Sequence, residues 1–225
     1  MPKLGMGEIR RRQLIDATQV VLHREGMDDL TLKKIADEAG VVTSQITHYF
    51  GTKEALLNAT MADLVVGVLR EVHTRRTSAA SVVDELAAIV HGNLAASQTS
   101  DAAVSVWLYF WSRVPFDAEF KRLQNICDYQ LRKYVFGSLQ GVVPRSVAAG
   151  TAGVIIALAY GMWLRHAYAG QEYDVGELHA VMLGIVRSQV EIARRDGRLK
   201  RMPDLDRLVA TREPKPSNAS ATRRR

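Results

Sequence analysis

The 225-residue sequence predicts an all-α protein: three short helices at the front, then a larger helical bundle. Three observations predict it. Apolar residues recur at three- and four-residue spacing along almost the whole chain, the period that lines up one face of an α-helix. No stretch shows the sustained apolar/polar alternation, bounded by turn dipeptides, that a half-buried strand needs. Glycines and short polar joints fall where one apolar stripe stops and the next begins.

Residues 9–25 form the first predicted helix, with Leu14, Ala17, Val21 and Leu22 on one face and Gly26 as its stop. Thr31 is the expected N-cap of a second helix through Ala39, its hydroxyl placed to accept an orphan amide of the first turn. Gly40 ends that helix, because without a Cβ the chain adopts a left-handed turn at little steric cost. A third helix spans residues 43–50, and Gly51-Thr52 punctuates it before a long helix opens at Lys53. Further helices are expected over 79–96, 101–113, 116–139, 147–169 and 175–195. From Lys200 onward, prolines among Ser, Thr, Asn and Arg carry no apolar phase, so this tail is expected to be unfolded. The predicted organisation is a head over 1–52, a body over 53–199 and a basic tail over 200–225.

Thirty Lys and Arg against 24 Asp and Glu give a net charge of +6, which favours a polyanionic partner. The basic residues cluster at Arg10-Arg11-Arg12, around Arg194, Arg195, Arg198, Lys200 and Arg201, and at Arg223-Arg224-Arg225. Any one cluster is equally readable as a solvated face. The single cysteine, Cys127, cannot form an internal disulfide, and no apolar run follows the first charges as a secretory leader requires; a cytoplasmic protein is expected. The apolar run 147–164 is long enough to be weighed as a membrane span. It stands alone, is broken by Gly150, Thr151, Gly153 and Gly161, and is flanked on both sides by Arg145 and Arg165. It is read instead as a helix buried among others or against a second subunit, and no membrane partner is expected. Six histidines are scattered, with no HExxH, Cys/His metal spacing, GxSxG elbow, Walker loop or dinucleotide loop. No catalytic residue, metal or cofactor is therefore assigned, and His91 with Asp84 or Glu85 is read as a solvated helix face.

Residues 31–41 have the pattern of a support helix and tight turn: Ile35, Ala36 and Ala39 supply the buried side, and Ala36 is small where helices cross. In 43–50, Ile46 and Phe50 lie one turn apart and should point at the core, leaving Thr43, Ser44, Gln45, Thr47 and His48 outward. A helix in the major groove needs this face: hydroxyls reach phosphates and base edges, and an amide such as Gln45 pairs with adenine. Tyr49 and Lys53 stand where a phenol and an ammonium at a helix N-terminus hold phosphate. With Thr31, these eight residues are the candidate contacts to duplex DNA. Similar three-helix units occur in proteins that bind no DNA, so a helical enzyme or adaptor remains the alternative.

Trp107, Tyr109, Phe110 and Trp111 share one predicted helix, while Tyr160 and Trp163 share another. Aromatic faces attract quaternary ammonium, so Trp107, Phe110, Trp111, Tyr160 and Trp163 are candidate ligand residues. At helical spacing they read equally well as core. The stripe Leu178, Val181, Met182, Ile185, Val186 and Val190, with the 147–164 run, makes either a four-helix interface between two subunits or a core within one.

The stretches Met1-Pro2-Lys3-Leu4-Gly5-Met6, residues 9–18, Ala39-Gly40-Val41, His48-Tyr49-Phe50, Lys53, Leu56-Leu57 and Ala59-Thr60-Met61 resemble the TetR family of bacterial repressors. Among its members the chain is most similar to choline-responsive repressors of glycine betaine synthesis. Scattered matches continue at Trp107-Leu108, Phe110-Trp111 and Trp163-Leu164-Arg165. The resemblance implies a repressor of double-stranded operator DNA whose body dimerises through its last two helices. It also implies a small-molecule effector, either choline or a related quaternary ammonium compound or a different hydrophobic or cationic ligand. The helix opening at Lys53 is then the connecting rod. A homodimer suits half-sites about 34 to 36 Å apart. Several positions depart from the family: Val42 stands where Ser or Thr is usual, Ser44 where Gly is usual, Thr47 where many members have Tyr, and Tyr160 where the closer ones carry Asp. Thr43 is expected to take over the cap of the recognition helix.

Overall fold

A computed structural model describes residues 5–140, 143–169 and 175–196. The tail expected over 200–225 lies outside them. Ten helices follow one another among the described residues: α1 (Met6–Glu25), α2 (Leu32–Glu38), α3 (Thr43–Phe50), α4 (Lys53–Arg76), α5 (Val82–Asn93), α6 (Ala96–Thr99), α7 (Asp101–Arg113), α8 (Ala118–Leu139), α9 (Arg145–Ala169) and α10 (Val175–Arg195). The bounds of α3, α7 and α10 are those the sequence predicts.

Where the starts of α1, α5 and α8 differ, a cap decides. The α1 helix begins at Met6 rather than residue 9, because the Glu8 carboxylate reaches back to accept the Gly5 amide at 3.3 Å. The expected helix over 79–96 shortens to α5 because the Ser81 hydroxyl accepts the Asp84 amide, and α6 follows as a separate turn. In α8 the carboxylate of Asp117 accepts the amides of Glu119 and Phe120, which leaves Phe116 outside the helix and exposed. Thr31 caps α2 as expected, accepting from the Lys34 amide at 3.2 Å. Thr43 does not cap α3. The capping position is Val42, which has no oxygen to offer, and Thr43 is already the first helical residue.

In the head, Leu14, Ala17, Val21 and Leu22 of α1 pack on Leu30, Ile35, Ala36, Ala39 and Ile46. Gly26, Gly40 and Gly51 turn the corners between these helices with φ of 75°, 64° and 79°. The predicted boundary at residues 52–53 falls at the Thr52 N-cap of α4, and the core continues across it through Leu56, Leu57, Met61, Leu64, Val65, Val68 and Val72. One helix therefore belongs to both halves.

The body packs α5, α7 and α8 against that rod, and α9 lies on α8. Ala148, Thr151, Ala152, Ile155, Ile156, Ala159 and Trp163 place one side of α9 in the core, although Arg145–Arg165 is by length and composition apolar enough to cross a membrane. Its other side exposes Gly150, Val154, Ala157 and Gly161. The expected stripe on α10 divides: Met182 and Val186 are buried within the chain, Ile185 is half-buried, and Val181 and Ile192 face outward. The side chains of Leu178 and Val190 lie outside the described residues.

Candidate nucleic-acid interface and ligand chamber

The α3 helix enters the head through one fully buried side chain, Ile46, with Phe50 half-buried beside it. Thr43, Ser44, Thr47 and His48 are exposed, while Gln45 and Tyr49 are half-buried. The Oε1 atom of Gln45 is buried without a hydrogen-bond partner, an uncommon and costly state for an amide oxygen. Tyr49 meets the His48 ring edge-on at 5.0 Å between centroids. Arg11 of α1 donates to the Tyr49 carbonyl at 2.5 Å and lies 4.3 Å over the Phe50 ring. Part of the basic cluster on α1 is thus tied to the end of α3, a link that the spacing of the arginines does not reveal.

The Lys53 ammonium donates to the carbonyl of Leu30. This bond brings the N-terminus of α4 beside Thr31, so the two residues reach one corner from different helices. Thr52, not singled out in the sequence, caps α4 by accepting the Ala55 amide at 3.1 Å and is exposed. Two further cations of the head hold helices together. Arg24 pairs with Glu38 at 2.7 Å and Lys34 with Glu25 at 2.9 Å. Hydrogen bonds from Lys34 and then Arg24 hold the Glu25 carboxyl below its ordinary range.

In the body, Trp107, Trp111, Tyr160 and Trp163 gather around a cavity of about 20 Å³, with Gln98 and Cys127 in the same wall and Val68 and Asn93 closing it. That is room for about one water. Trp111 stands at the centre of the cluster, 4.8 Å from Trp163 and 5.7 Å from both Trp107 and Tyr160, the contacts to Trp163 and Tyr160 edge-to-face. Phe110 does not line the cavity. It is fully buried one turn behind, backing Trp107 edge-on at 5.6 Å and touching Phe120.

Each indole N–H finds an acceptor. Trp107 Nε1 donates to Gln98 Oε1 at 3.2 Å, Trp163 Nε1 to the Gln98 carbonyl at 3.2 Å, and Trp111 Nε1 to Gln124 Oε1 at 3.1 Å. Gln124 Nε2 in turn donates to the Tyr160 hydroxyl at 3.2 Å. Burial pushes the Cys127 thiol up to about 12 and the Tyr160 phenol well above its ordinary value, so both stay neutral at neutral pH. No carboxylate is among the described lining residues. Sequence reasoning found the aromatic walls but missed Gln98, Gln124 and Asn93. Asn93 has a signal in its inward phase on α5; Gln98 sits on a turn too short to have a phase.

The comparisons with known proteins agree with this architecture. Residues 14–60 match the bacterial regulatory proteins of the tetR family, and residues 82–191 match the C-terminal domain of BetI-type transcriptional repressors. The HTH-type transcriptional regulator BetI of Escherichia coli is 40% identical over 184 residues, covering 80% of this chain and 94% of that protein. The BetI regulator of Paraburkholderia xenovorans is 38% identical over 175 residues, covering 77% and 90%. The crystal structure of a transcriptional regulator from Pseudomonas aeruginosa PAO1 superposes with a TM-score of 0.73 at 22% identity, over 86% of this chain and 96% of that one, and shares the fold. Its relatives are regulators and not enzymes, and the chain belongs to the TetR family as a BetI-type, helix-turn-helix transcriptional repressor.

Proposed function

We infer that the repressor acts in the cytoplasm as a homodimer, laying one α3 into each of two successive major grooves of its operator, and that a quaternary ammonium effector, choline or a close relative, releases it. The observation that carries this reading is the face of α3: five residues able to reach phosphates or base edges, Thr43, Ser44, Gln45, Thr47 and His48, with one fully buried anchor, Ile46, behind them. Gln45 is the base reader of the set, since its amide oxygen has no partner within the chain and gains one on an adenine edge when the side chain turns toward DNA. Tyr49, Lys53 and Thr31 hold phosphates at the rim. The outward faces of α9 and α10, with Val154, Val181 and Ile192 each about half exposed, supply the dimer contact.

The aromatic chamber supports a cationic ligand through the four aromatic side chains among its described lining residues, Trp107, Trp111, Tyr160 and Trp163. At about 20 Å³ it is narrow, well short of the roughly 300 Å³ at which ligand pockets begin. An effector must therefore widen it, and widening is what gives the ligand a different affinity for two conformations. The expected coupling is about 5- to 150-fold in DNA affinity. The missing carboxylate also fits a second reading, in which the ligand is a neutral hydrophobic molecule. The test is binding of purified protein to the duplex upstream of its own coding sequence and to random duplex, at fixed salt, with and without choline. Specific binding that choline weakens supports the whole reading. Specific binding indifferent to choline leaves the operator and removes the choline effector, and equal binding to both duplexes removes the DNA interface.

A further inference from the structure

One buried polar side chain touches both the chamber and the rod. Gln98 on α6 is 3% exposed. Its side-chain oxygen accepts the Trp107 indole N–H and its backbone oxygen accepts that of Trp163, so two walls of the chamber hang on one residue. The other end of its amide faces α4. A Cβ built on Gly67 would stand 3.0 Å from Gln98 Nε2, an approach that leaves no slack for a side chain at that point of the rod. One turn back along α4, Asp63 pairs with Arg12 of α1 at 2.6 Å. Gln98, Gly67, Asp63 and Arg12 also line one cleft of about 140 Å³ between α1 and α4.

We propose that Gln98 is the positioning residue that ties the state of the aromatic chamber to α4 and, through the Arg12–Asp63 pair, to the DNA-binding head. A molecule that spreads Trp107 from Trp163 pulls the two oxygens of Gln98 in different directions. The residue must release one indole or move, and if it moves its amide presses on or leaves Gly67. Closely packed interiors pass such shifts on because they have no free volume to absorb them. This role rests on the reading that the chamber takes a ligand, but the link itself works in both directions: what moves α4 must also move the tryptophans.

That reciprocity gives a test that needs no effector. All three tryptophans of the chain line the chamber, so tryptophan emission of the full-length protein reports on the chamber alone. Adding the upstream duplex to the wild type is expected to shift that emission. In Gln98→Met, which keeps the bulk and the backbone acceptor but removes the side-chain oxygen, the DNA-induced shift is lost and release of DNA by choline falls at least about fivefold. DNA affinity without choline stays within about threefold of wild type, and release is compared at choline concentrations that saturate each protein by its own emission titration. Gly67→Ala approaches from the other side: it displaces the amide, shifts the emission with neither ligand present, and weakens DNA binding severalfold. Circular dichroism melting verifies that each variant is folded, and either one alone suffices. An undiminished DNA-induced shift in Gln98→Met overturns the proposal, and so does a wild type whose emission does not respond to bound DNA. If choline affects neither emission nor DNA binding while the shift appears in wild type and vanishes in Gln98→Met, the link through Gln98 stands and the choline reading falls.

Discussion

Glu85 is a residue whose neighbourhood the sequence conceals. Read as part of a solvated face with Asp84 and His91, it instead accepts from the Ser138 hydroxyl at 2.5 Å and pairs with Arg76 at 2.8 Å, while the Arg76 guanidinium lies 4.7 Å over the Tyr134 ring. Its partners are nine and 53 positions away, which no local pattern encodes. Burial alone would raise its pKa; the Ser138 hydrogen bond and the Arg76 bond and charge outweigh it and leave the value below the ordinary 4.5. A lowered carboxylate stabilises the fold when ionised, so its contribution is fully present above that ordinary value and is lost as pH falls through the lower one. Glu85→Gln is expected to cost about 1 kcal/mol in urea unfolding at pH 7, with the difference from wild type shrinking as pH is taken down from 4.5. A deficit unchanged in acid would contradict this. Cys127 gives a second check at this scale. Buried, and with its pKa near 12, the only thiol of the chain should react with a disulfide reagent at pH 8 at least about a hundredfold more slowly than in denaturant.

At the level of the element, the joint between α4 and α5 is the tightest described. A Cβ on Gly92 would lie 2.5 Å from Val72 Cγ2 and 2.7 Å from the Val72 backbone nitrogen, so α5 crosses the rod at backbone distance. Gly92→Ala is expected to destabilise the protein by about 1 to 3 kcal/mol, because the obstacle is backbone and not a movable side-chain tip; thermal unfolding measures it. The same joint shows why elements were legible unevenly. Long helices with a clear apolar phase, α7 and α10, were placed to the residue, and α3 was bracketed by Gly40 and Gly51. Four residues of α6 are too few to express a period, so they read as the joint between the helices expected over 79–96 and 101–113. The starts of α1, α5 and α8 were misplaced where a carboxylate or hydroxyl cap, Glu8, Ser81 or Asp117, outweighs hydrophobic phase. The aromatic walls were visible because tryptophans one turn apart announce themselves; which of them faces a cavity depends on helices far apart in sequence, and Phe110 fell on the wrong side of that distinction.

For the whole molecule, the prediction concerns assembly. Val154 and Val181 are 50% and 54% exposed in the isolated chain, so Val154→Arg and Val181→Arg should leave the monomer's stability within about 1 kcal/mol. Both are expected to shift the sedimenting species toward monomer and to weaken operator binding at least about a hundredfold, since one head then meets one half-site. Unchanged mass with unchanged operator affinity would remove this face from the dimer. The way α3 is seated reaches further. A helix seated through Ile46, with Tyr49 and Phe50 packed beside it, carries its exposed residues at little structural cost: surface exchanges at Thr43, Ser44, Thr47 or His48 are expected within about 0.5 kcal/mol of neutral. On the proposed reading of α3, a duplicated copy of the gene would therefore acquire a new address on the chromosome while still answering the old signal.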